Sequence, residues 1–152
     1  MPPTYREDVM KAVEGILLGE DDMIAAMANA AAVVYHGMPR LNWAGWYVLR
    51  GHELVLGPFQ GLPACVRIPL GKGVCGTAAA ERRTVVVDDV EAFPGHIACD
   101  AASRSEVVIP VYAQSGQLIG VFDIDSPDLA RFTSDDVSAL EQVAAAVGRC
   151  IR

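Results

Sequence analysis

The chain has 152 residues, of which 52% are hydrophobic and 20% are charged, and its formal net charge at pH 7 is −7. This length suits one domain over residues 1–152. Its apolar runs fall short of the roughly 20 residues that cross a bilayer, and no cluster of Lys or Arg offers a surface for phosphate backbones. The composition therefore predicts neither membrane insertion nor nucleic-acid binding.

The N-terminal segment, Met-Pro-Pro-Thr-Tyr-Arg-Glu-Asp, lacks both the basic start and the apolar core of a secretory leader. We therefore expect a cytoplasmic, reducing environment. Static disulfides are uncommon there, so cysteines that pair are more often catalytic or sensing than structural. Three of the four cysteines, Cys65, Cys75 and Cys99, lie in segments bounded by glycine and proline. These thiols are the first candidates for redox chemistry.

The predicted elements begin with helices and then change to strands. A capping-box pattern of Thr4 with Glu7 and helical periodicity predict a helix over about 5–18, and an alanine-rich helix follows over about 22–36. β-branched and aromatic residues then predict strands at 42–50, 53–57, 66–70, 84–87, 106–112 and 117–125. A helix over about 74–82 interrupts them, and another runs from the Thr133/Ser134 cap to the end of the chain. This order predicts an α+β fold with a mostly antiparallel sheet of about six strands and N- and C-terminal helices packed on it.

The segment Gly71-Lys72-Gly73-Val74-Cys75-Gly76 fits the G-x-G-x-x-G pattern of dinucleotide-binding loops, and Glu91 follows about twenty residues later. Its surroundings do not fit that reading. The preceding strand is short and contains Pro69, and the strands lack the alternating βαβ order that a parallel sheet requires. We therefore interpret the glycines as the entry to a helix.

His96 and Cys99 place two types of zinc ligand close together in the sequence. The rest of a zinc pattern is missing, because the chain has no C-x-x-C pair and because His36 and His52 lie at a predicted helix end and a predicted turn. A cysteine-hydrolase dyad of His96 and Cys99 would depend on a geometry that spacing alone does not provide. No metal site is expected.

A group of carboxylates gives a stronger indication of a site. Asp123 and Asp125 are two apart in one predicted strand, so both side chains leave the same face of the sheet. A hairpin turn centred on Gln114 and Ser115 would place Glu106 opposite Asp123. Spacing alone fits a solvated sheet rim as well, but the neighbouring apolar residues favour partial burial. Burial and like charges both raise carboxyl pKa values, so one of the three could hold a proton and act as a general acid.

Five segments carry a family resemblance. They read NWAGWY (42–47), LGPFQG (56–61), CVRIP (65–69), GKGVCGTA (71–78) and FPGHIACDAASRSE (93–106). Together they resemble the free methionine-R-sulfoxide reductases, which are enzymes built on a GAF domain. The resemblance covers about residues 35–133 and implies a GAF-type antiparallel sheet with helices packed on it. It also implies reduction of the R epimer of free methionine sulfoxide to methionine, with electrons from thioredoxin or a similar dithiol and with no cofactor.

The resemblance assigns roles to the thiols. Cys99 matches the nucleophile that attacks the sulfoxide sulfur and becomes a sulfenic acid, which a second thiol then condenses into a disulfide. Cys65 and Cys75 match the other two family cysteines, and Cys65 is the preferred resolving thiol. Cys150 is expected to be buried or partner-facing, without a catalytic task.

The same resemblance describes a substrate pocket. Glu106, Asp123 and Asp125 match positions that bind the substrate, where they could hold its ammonium group and protonate the sulfoxide oxygen. Trp43 and Tyr47 match an apolar wall for the S-methyl group, although strand aromatics also pack in ordinary cores.

Two other functions stay open: a GAF-type sensor that binds a small ligand without turnover, and a thiol switch with a regulatory disulfide and no substrate. The acid cluster favours chemistry on a small polar substrate over a switch. A homodimer also stays open.

Overall fold

The computed structural model describes residues 4–152, and the first three residues, part of the segment used above to argue against a leader, lie outside the described residues. The helices are α1 (Tyr5–Leu17), α2 (Met23–Gly37), α3 (Gly73–Glu81) and α4 (Ser134–Arg149), with a short 3-10 helix at Val90–Ala92. The strands are β1 (Trp43–Arg50), β2 (Glu53–Gly61), β3 (Arg67–Pro69), β4 (Val85–Val87), β5 (Ser105–Tyr112) and β6 (Leu118–Ser126). The predicted α+β order is confirmed, and most element ends agree within two residues.

The strands of the described residues form one six-stranded sheet in the order β3-β2-β1-β6-β5-β4, with antiparallel pairing at every step. The β1–β6 and β5–β6 ladders place β1 and β6 in the centre and β5 beside β6. Because side chains alternate along a strand, each central strand sends one set of residues to each face. Different helices pack on the two faces.

The end of β2 was predicted wrongly, since the strand continues four residues beyond 57. Gly45 of β1 pairs with Phe59 and Tyr47 pairs with Leu56, so two residues of β2 oppose one residue of β1 between these pairs. Pro58 lies inside this bulge, where the ladder is interrupted and its missing N–H is tolerated. Pro58 therefore marks an irregularity within a strand that is longer than the sequence predicted.

One face of the sheet packs against α2 and α4, and α1 packs on these two helices; this side holds the larger apolar core. Trp46 lies at its centre, stacked on Phe122 with ring centroids 4.0 Å apart, and its indole N–H donates to the Met27 carbonyl at 2.8 Å. Each fully buried side chain of this size contributes about 1.5–3 kcal/mol to folding. In the part of the chain that the structure describes, no helix has both the length and the apolar character needed to cross a membrane.

A buried ion pair joins α1 to α4 at the edge of this core. Arg131 donates to Asp136 at 2.8 Å, and Tyr5 and Arg6 of α1 donate to the other carboxylate oxygen at 2.5 and 3.0 Å. Asp136 also completes the capping box of α4 with Thr133. Burial alone would raise the pKa of Asp136, but the hydrogen bonds from Tyr5 and Thr133 and the charge of Arg131 lower it to about 2. This network fixes the first and last helices against each other.

Among the described residues, the opposite face of the sheet is covered by α3, the short 3-10 helix and the loops around them. The glycine-rich segment is the entry to α3, as interpreted from the sequence: Gly71 and Gly73 have positive φ values, and the helix begins at Gly73. A Cβ atom at Gly76 would lie 2.5 Å from the Pro69 carbonyl oxygen, so the glycine permits close contact between α3 and β3. Because the helix is short, it leaves part of this face open to the loops that carry Cys65 and Cys99.

Candidate active site

The predicted pocket residues share the face of the sheet that carries α3. Glu106 pairs with Asp125 across β5 and β6, and Asp125 pairs with Trp43 across β6 and β1. Asp123 is two residues before Asp125 and Tyr47 lies on the same face of β1, so all five side chains point to one region. The cluster of three acids is confirmed, but the predicted pairing of Glu106 with Asp123 is wrong: Asp123 lies opposite Val108.

A disulfide between Cys65 and Cys99 lies over this region. Cys65 follows β2 and Cys99 precedes β5, and their Cα atoms are 5.3 Å apart. Both residues are partly exposed. The bond therefore closes the site with two loops that are 34 residues apart in the sequence, and it stays within reach of a dithiol from solvent.

The three carboxyls are buried, with 6–8% of each residue exposed. Burial raises the pKa of Glu106, Asp123 and Asp125 well above the ordinary carboxyl range, and the charge of a neighbouring carboxylate raises each one further. One oxygen of Asp123 and one of Asp125 are buried without a hydrogen-bond partner. A group of this kind can hold a proton at neutral pH, accept hydrogen bonds from a bound ammonium group and donate a proton to a substrate oxygen.

Cys75, on the first turn of α3, faces the same cluster as a buried free thiol. Burial raises its pKa well above the usual thiol range, and the negative charges of Asp123 and Glu106 raise it further. The Cys75 sulfur and one carboxyl oxygen each of Glu106 and Asp123 lie within 4.8 Å of one another, so the thiol is part of the acid cluster. The raised pKa makes Cys75 a poor nucleophile in this state.

Trp43 and Tyr47 form an aromatic wall. Their rings stack with centroids 6.0 Å apart, and Phe59 also stacks against Trp43 at 5.3 Å. The polar groups of both side chains are already used, because the Trp43 indole donates to the Leu62 carbonyl at 3.0 Å and the Tyr47 hydroxyl donates to the Cys65 carbonyl at 2.8 Å. The wall therefore presents an apolar surface, and the tyrosine tip holds the loop of Cys65.

The cavity at this site has a volume of about 30 Å³, enough for one or two water molecules. Among residues 4–152, neither Lys nor Arg lines it. His96 is its one basic side chain, with Nε2 3.8 Å from a Glu106 oxygen, and burial lowers the pKa of this imidazole. The site is thus acidic and apolar, with little positive charge to offset its carboxyls.

Four polar residues of this site were not assigned a role from the sequence. Asn42 donates to Asp100 and to Ser103, both at 3.0 Å, and Ser103 donates to Asp125 at 2.9 Å. His96 had been considered only as a zinc ligand or as a hydrolase base. Asn42, Asp100 and Ser103 lie inside the segments that carry the resemblance, and that position was the only signal for them.

Cys150 lies apart from this site. It follows α4, it is 8% exposed, and its thiol contacts the Ala146 carbonyl at 3.5 Å. The residue belongs to the core formed with α1 and α2, on the other face of the sheet.

Comparison with known proteins connects this geometry to characterised relatives. A family model described as a GAF domain matches residues 19–152. The free methionine-R-sulfoxide reductase of Escherichia coli is 48% identical over 141 residues, covering 93% of this chain and 85% of that protein. The reductase of the same name from Saccharomyces cerevisiae is 41% identical, covering 94% of this chain and 83% of that protein.

A solved structure extends the similarity to three dimensions. The free methionine-R-sulfoxide reductase of Neisseria meningitidis in complex with its substrate superposes with a TM-score of 0.90 at 44% identity. The superposition covers 95% of this chain and 87% of that chain.

Proposed function

This chain belongs to the free methionine-R-sulfoxide reductases, a family of oxidoreductases with a GAF domain, and on that basis we propose how its residues reduce free L-methionine-(R)-S-oxide. The observation that carries the proposal is the Cys65–Cys99 disulfide lying over a buried cluster of Glu106, Asp123 and Asp125. The disulfide is the oxidised product of a reaction that uses two thiols, and the acid cluster is a source of protons for that reaction. We assign the reaction to one catalytic domain over residues 1–152.

In the first step, the Cys99 thiolate attacks the sulfoxide sulfur while a carboxylic acid of the cluster protonates the sulfoxide oxygen. Protonation is needed because oxide is too poor a leaving group to depart unaided. The oxygen is transferred to the Cys99 sulfur, and methionine leaves with a reduced sulfur. The nucleophile is then a sulfenic acid.

In the second step, the Cys65 thiol attacks the Cys99 sulfenic acid and water departs with the oxygen atom. The 5.3 Å separation of the two Cα atoms supports Cys65 as the resolving thiol, because it lies within the range that a disulfide requires. Cys75 remains the second candidate, since it lines the same cavity. Thioredoxin or a similar dithiol then reduces the disulfide and is itself oxidised.

Substrate binding follows from the charges of the pocket. The carboxyls hold the substrate ammonium group, and Trp43 and Tyr47 contact the S-methyl end. All of these groups belong to one polypeptide chain, so the proposed reaction does not require a second copy of the protein. A homodimer stays an expectation that is independent of the mechanism. A cytoplasmic location suits this cycle, because a disulfide that forms in every turnover must be reduced again.

The test is NADPH consumption in the presence of thioredoxin, thioredoxin reductase and each epimer of free methionine sulfoxide. We expect oxidation of NADPH with the R epimer and none above background with the S epimer. Methionine release should equal NADPH consumed. If the reduced protein binds the R epimer but releases no methionine even once, the sensor interpretation replaces the enzyme.

A further inference from the structure

Three hydrogen bonds link the loop that carries Cys99 to one of the cluster acids. The Asn42 amide donates one N–H to Asp100 and the other to the Ser103 hydroxyl, both at 3.0 Å. Ser103 then donates its single hydroxyl proton to Oδ2 of Asp125 at 2.9 Å. Asp100 directly follows Cys99, so this chain of contacts runs from the residue beside the nucleophile to the carboxyl cluster.

These hydrogen bonds run in one direction, from the Asn42 amide through the Ser103 hydroxyl to the Asp125 carboxyl. Asn42 uses both N–H groups of its amide, and Ser103 accepts one bond and donates one. In the structure Ser103 directs its proton to Oδ2 of Asp125, so this oxygen acts as an acceptor. When Asp125 is protonated, its proton resides on Oδ1, the oxygen that is buried without a partner.

This network of hydrogen bonds is also anchored to the sheet. The backbone N–H of Asn42 donates to the Asp125 carbonyl at 3.0 Å, so Asn42 is held beside Asp125 by its main chain as well as through Ser103. The side-chain oxygen of Asn42 is buried without a partner. Such an oxygen costs free energy, which favours a functional reason for keeping an amide at this position.

We propose that Ser103 and Asn42 are positioning residues that orient the Asp125 carboxyl and hold it to the loop of the nucleophile. Ser103 occupies one oxygen of Asp125 and directs any proton to the other, and Asn42 ties Ser103 to Asp100 beside Cys99. Loop closure and the orientation of the acid are therefore set by the same contacts. This inference rests on the proposed function only for its effect on the reaction rate.

Several titratable groups contribute to the environment of Asp125: Glu106, Asp123, Tyr47, Cys75 and His96, from β5, β6, β1, α3 and the loop before β5. The hydrogen bond from Ser103 stabilises the charged form of Asp125, so removing it should raise the pKa of this carboxyl. The other groups are unchanged in a Ser103 variant.

The test compares Ser103→Ala with Ser105→Ala in the reduced protein. Ser105 is also buried and its hydroxyl also makes two hydrogen bonds, to the Asp128 carbonyl and from the Arg131 N–H, but it does not contact Asp125. The first readout is the titration of the carboxyl cluster by carbon NMR without substrate. The second is the pH dependence of single-turnover reduction, and Ser103→Thr, which keeps the hydroxyl, serves as the rescue.

We expect Ser103→Ala to move the cluster titration and the alkaline limb of the rate profile to higher pH. We also expect it to slow reduction by about tenfold, the effect of losing a hydrogen bond to a charged group. Ser103→Thr should restore the parent titration and the parent rate. Ser105→Ala should leave the cluster titration and the alkaline limb where they are in the parent protein. The double variant Asn42→Ala/Ser103→Ala should slow reduction by less than the product of the two single fold-losses in rate, because the two residues act in one hydrogen-bond network.

If the carboxyl cluster titrates at the same pH in Ser103→Ala as in Ser105→Ala, the positioning role is wrong. This holds even if the rate of reduction falls in Ser103→Ala. The titration needs no turnover. It therefore decides the inference even if the parent protein fails to reduce methionine sulfoxide, a result that would overturn only the proposed function.

Discussion

Glu106 and Asp125 lie directly opposite each other in the ladder between β5 and β6, so two carboxyls occupy one cross-strand pair. Like charges in such positions repel, and the interior of the pocket gives little solvent to screen them. Asp123, two residues along β6, adds a third carboxyl to the same face. The arrangement is stable only if the three groups share protons or bind a cation, and both properties serve the proposed chemistry.

The first prediction concerns proton donation. At least one of Glu106→Gln, Asp123→Asn and Asp125→Asn should retain measurable substrate affinity while its single-turnover rate falls by about 10²–10⁴, as is typical for loss of a general acid. An amide keeps the shape of the side chain but donates no carboxylic proton. Rapid-quench measurement of methionine gives the rate, and Glu53→Gln on β2 is the matched control at an exposed acid. Parent-like rates in all three variants would mean that the acids only bind.

The second prediction concerns pH. The pKa values of the cluster acids are raised, so these groups are protonated below the raised values and lose their protons as pH rises through them. Single-turnover reduction should therefore fall on the alkaline side as the acid is lost. Asp123→Asn removes a charge that raises the pKa of Glu106, so any remaining activity should decline at lower pH than in the parent. An alkaline limb that stays in place would show that another group sets it.

The third prediction separates the thiols. Cys99→Ser should abolish reduction even in one turnover, whereas Cys65→Ser should release close to one methionine per enzyme and then stop. Cys75→Ser tests the alternative resolving thiol. Quantified methionine and a sulfenic-acid trap follow both steps. Sustained turnover by Cys65→Ser together with a recycling defect in Cys75→Ser would exchange the two assignments.

The fourth prediction concerns the free amino group. N-acetylation of the substrate removes the positive charge that the carboxyls hold and adds bulk to a closed pocket. The lost charged hydrogen bond is worth about 1.5–3 kcal/mol, so kcat/KM should fall by at least about tenfold. Peptide-bound methionine sulfoxide should be a similarly poor substrate. Equal kcat/KM for the free and N-acetylated R epimers would contradict the closed pocket.

The fifth prediction concerns the buried ion pair of Asp136 with Arg131. Asp136 has its pKa lowered from 3.8 to about 2, so its contribution, roughly 2 kcal/mol, is present above pH 4 and is lost as pH falls toward 2. Asp136→Ala should reduce the free energy of unfolding by about 3–5 kcal/mol at neutral pH, because it leaves Arg131 buried without its partner.

Urea unfolding at pH 7 and pH 3 measures both effects. Asp128→Ala is the control, since its pair with Arg40 is solvent-exposed and should contribute less than about 1 kcal/mol. Equal losses in the two variants at pH 7 would contradict the predicted role of burial.

Local patterns were sufficient to predict most of the fold. Asp123 and Asp125 were placed on one face by the alternation of side chains along a strand. The strand itself could be predicted from the residue types in that segment. The partner of Glu106 was wrong for two reasons. The turn is centred on Ser115, since Tyr112 pairs with Leu118, and an irregularity between Val111 and Tyr112 shifts the register by one residue more. A bulge of this kind depends on packing along both strands, and a turn motif does not report it.

Contacts between distant loops were beyond the reach of the sequence. Asn42 and Ser103 are 61 residues apart, and their hydrogen bond depends on how the loop before β5 returns to the start of β1. Periodicity describes the faces of helices and strands, but it does not describe where a loop side chain lies. The role of the Tyr47 hydroxyl was missed for the same reason, because its acceptor belongs to the loop of Cys65.

The small cavity beneath the Cys65–Cys99 disulfide has a kinetic consequence. A space of about 30 Å³ admits a water molecule or two but not an amino acid of the size of methionine sulfoxide. The oxidised enzyme should therefore form no dead-end complex with its substrate, and the two half-reactions should alternate in a double-displacement cycle. Double-reciprocal plots at several thioredoxin concentrations should give parallel lines, without inhibition at high sulfoxide concentration.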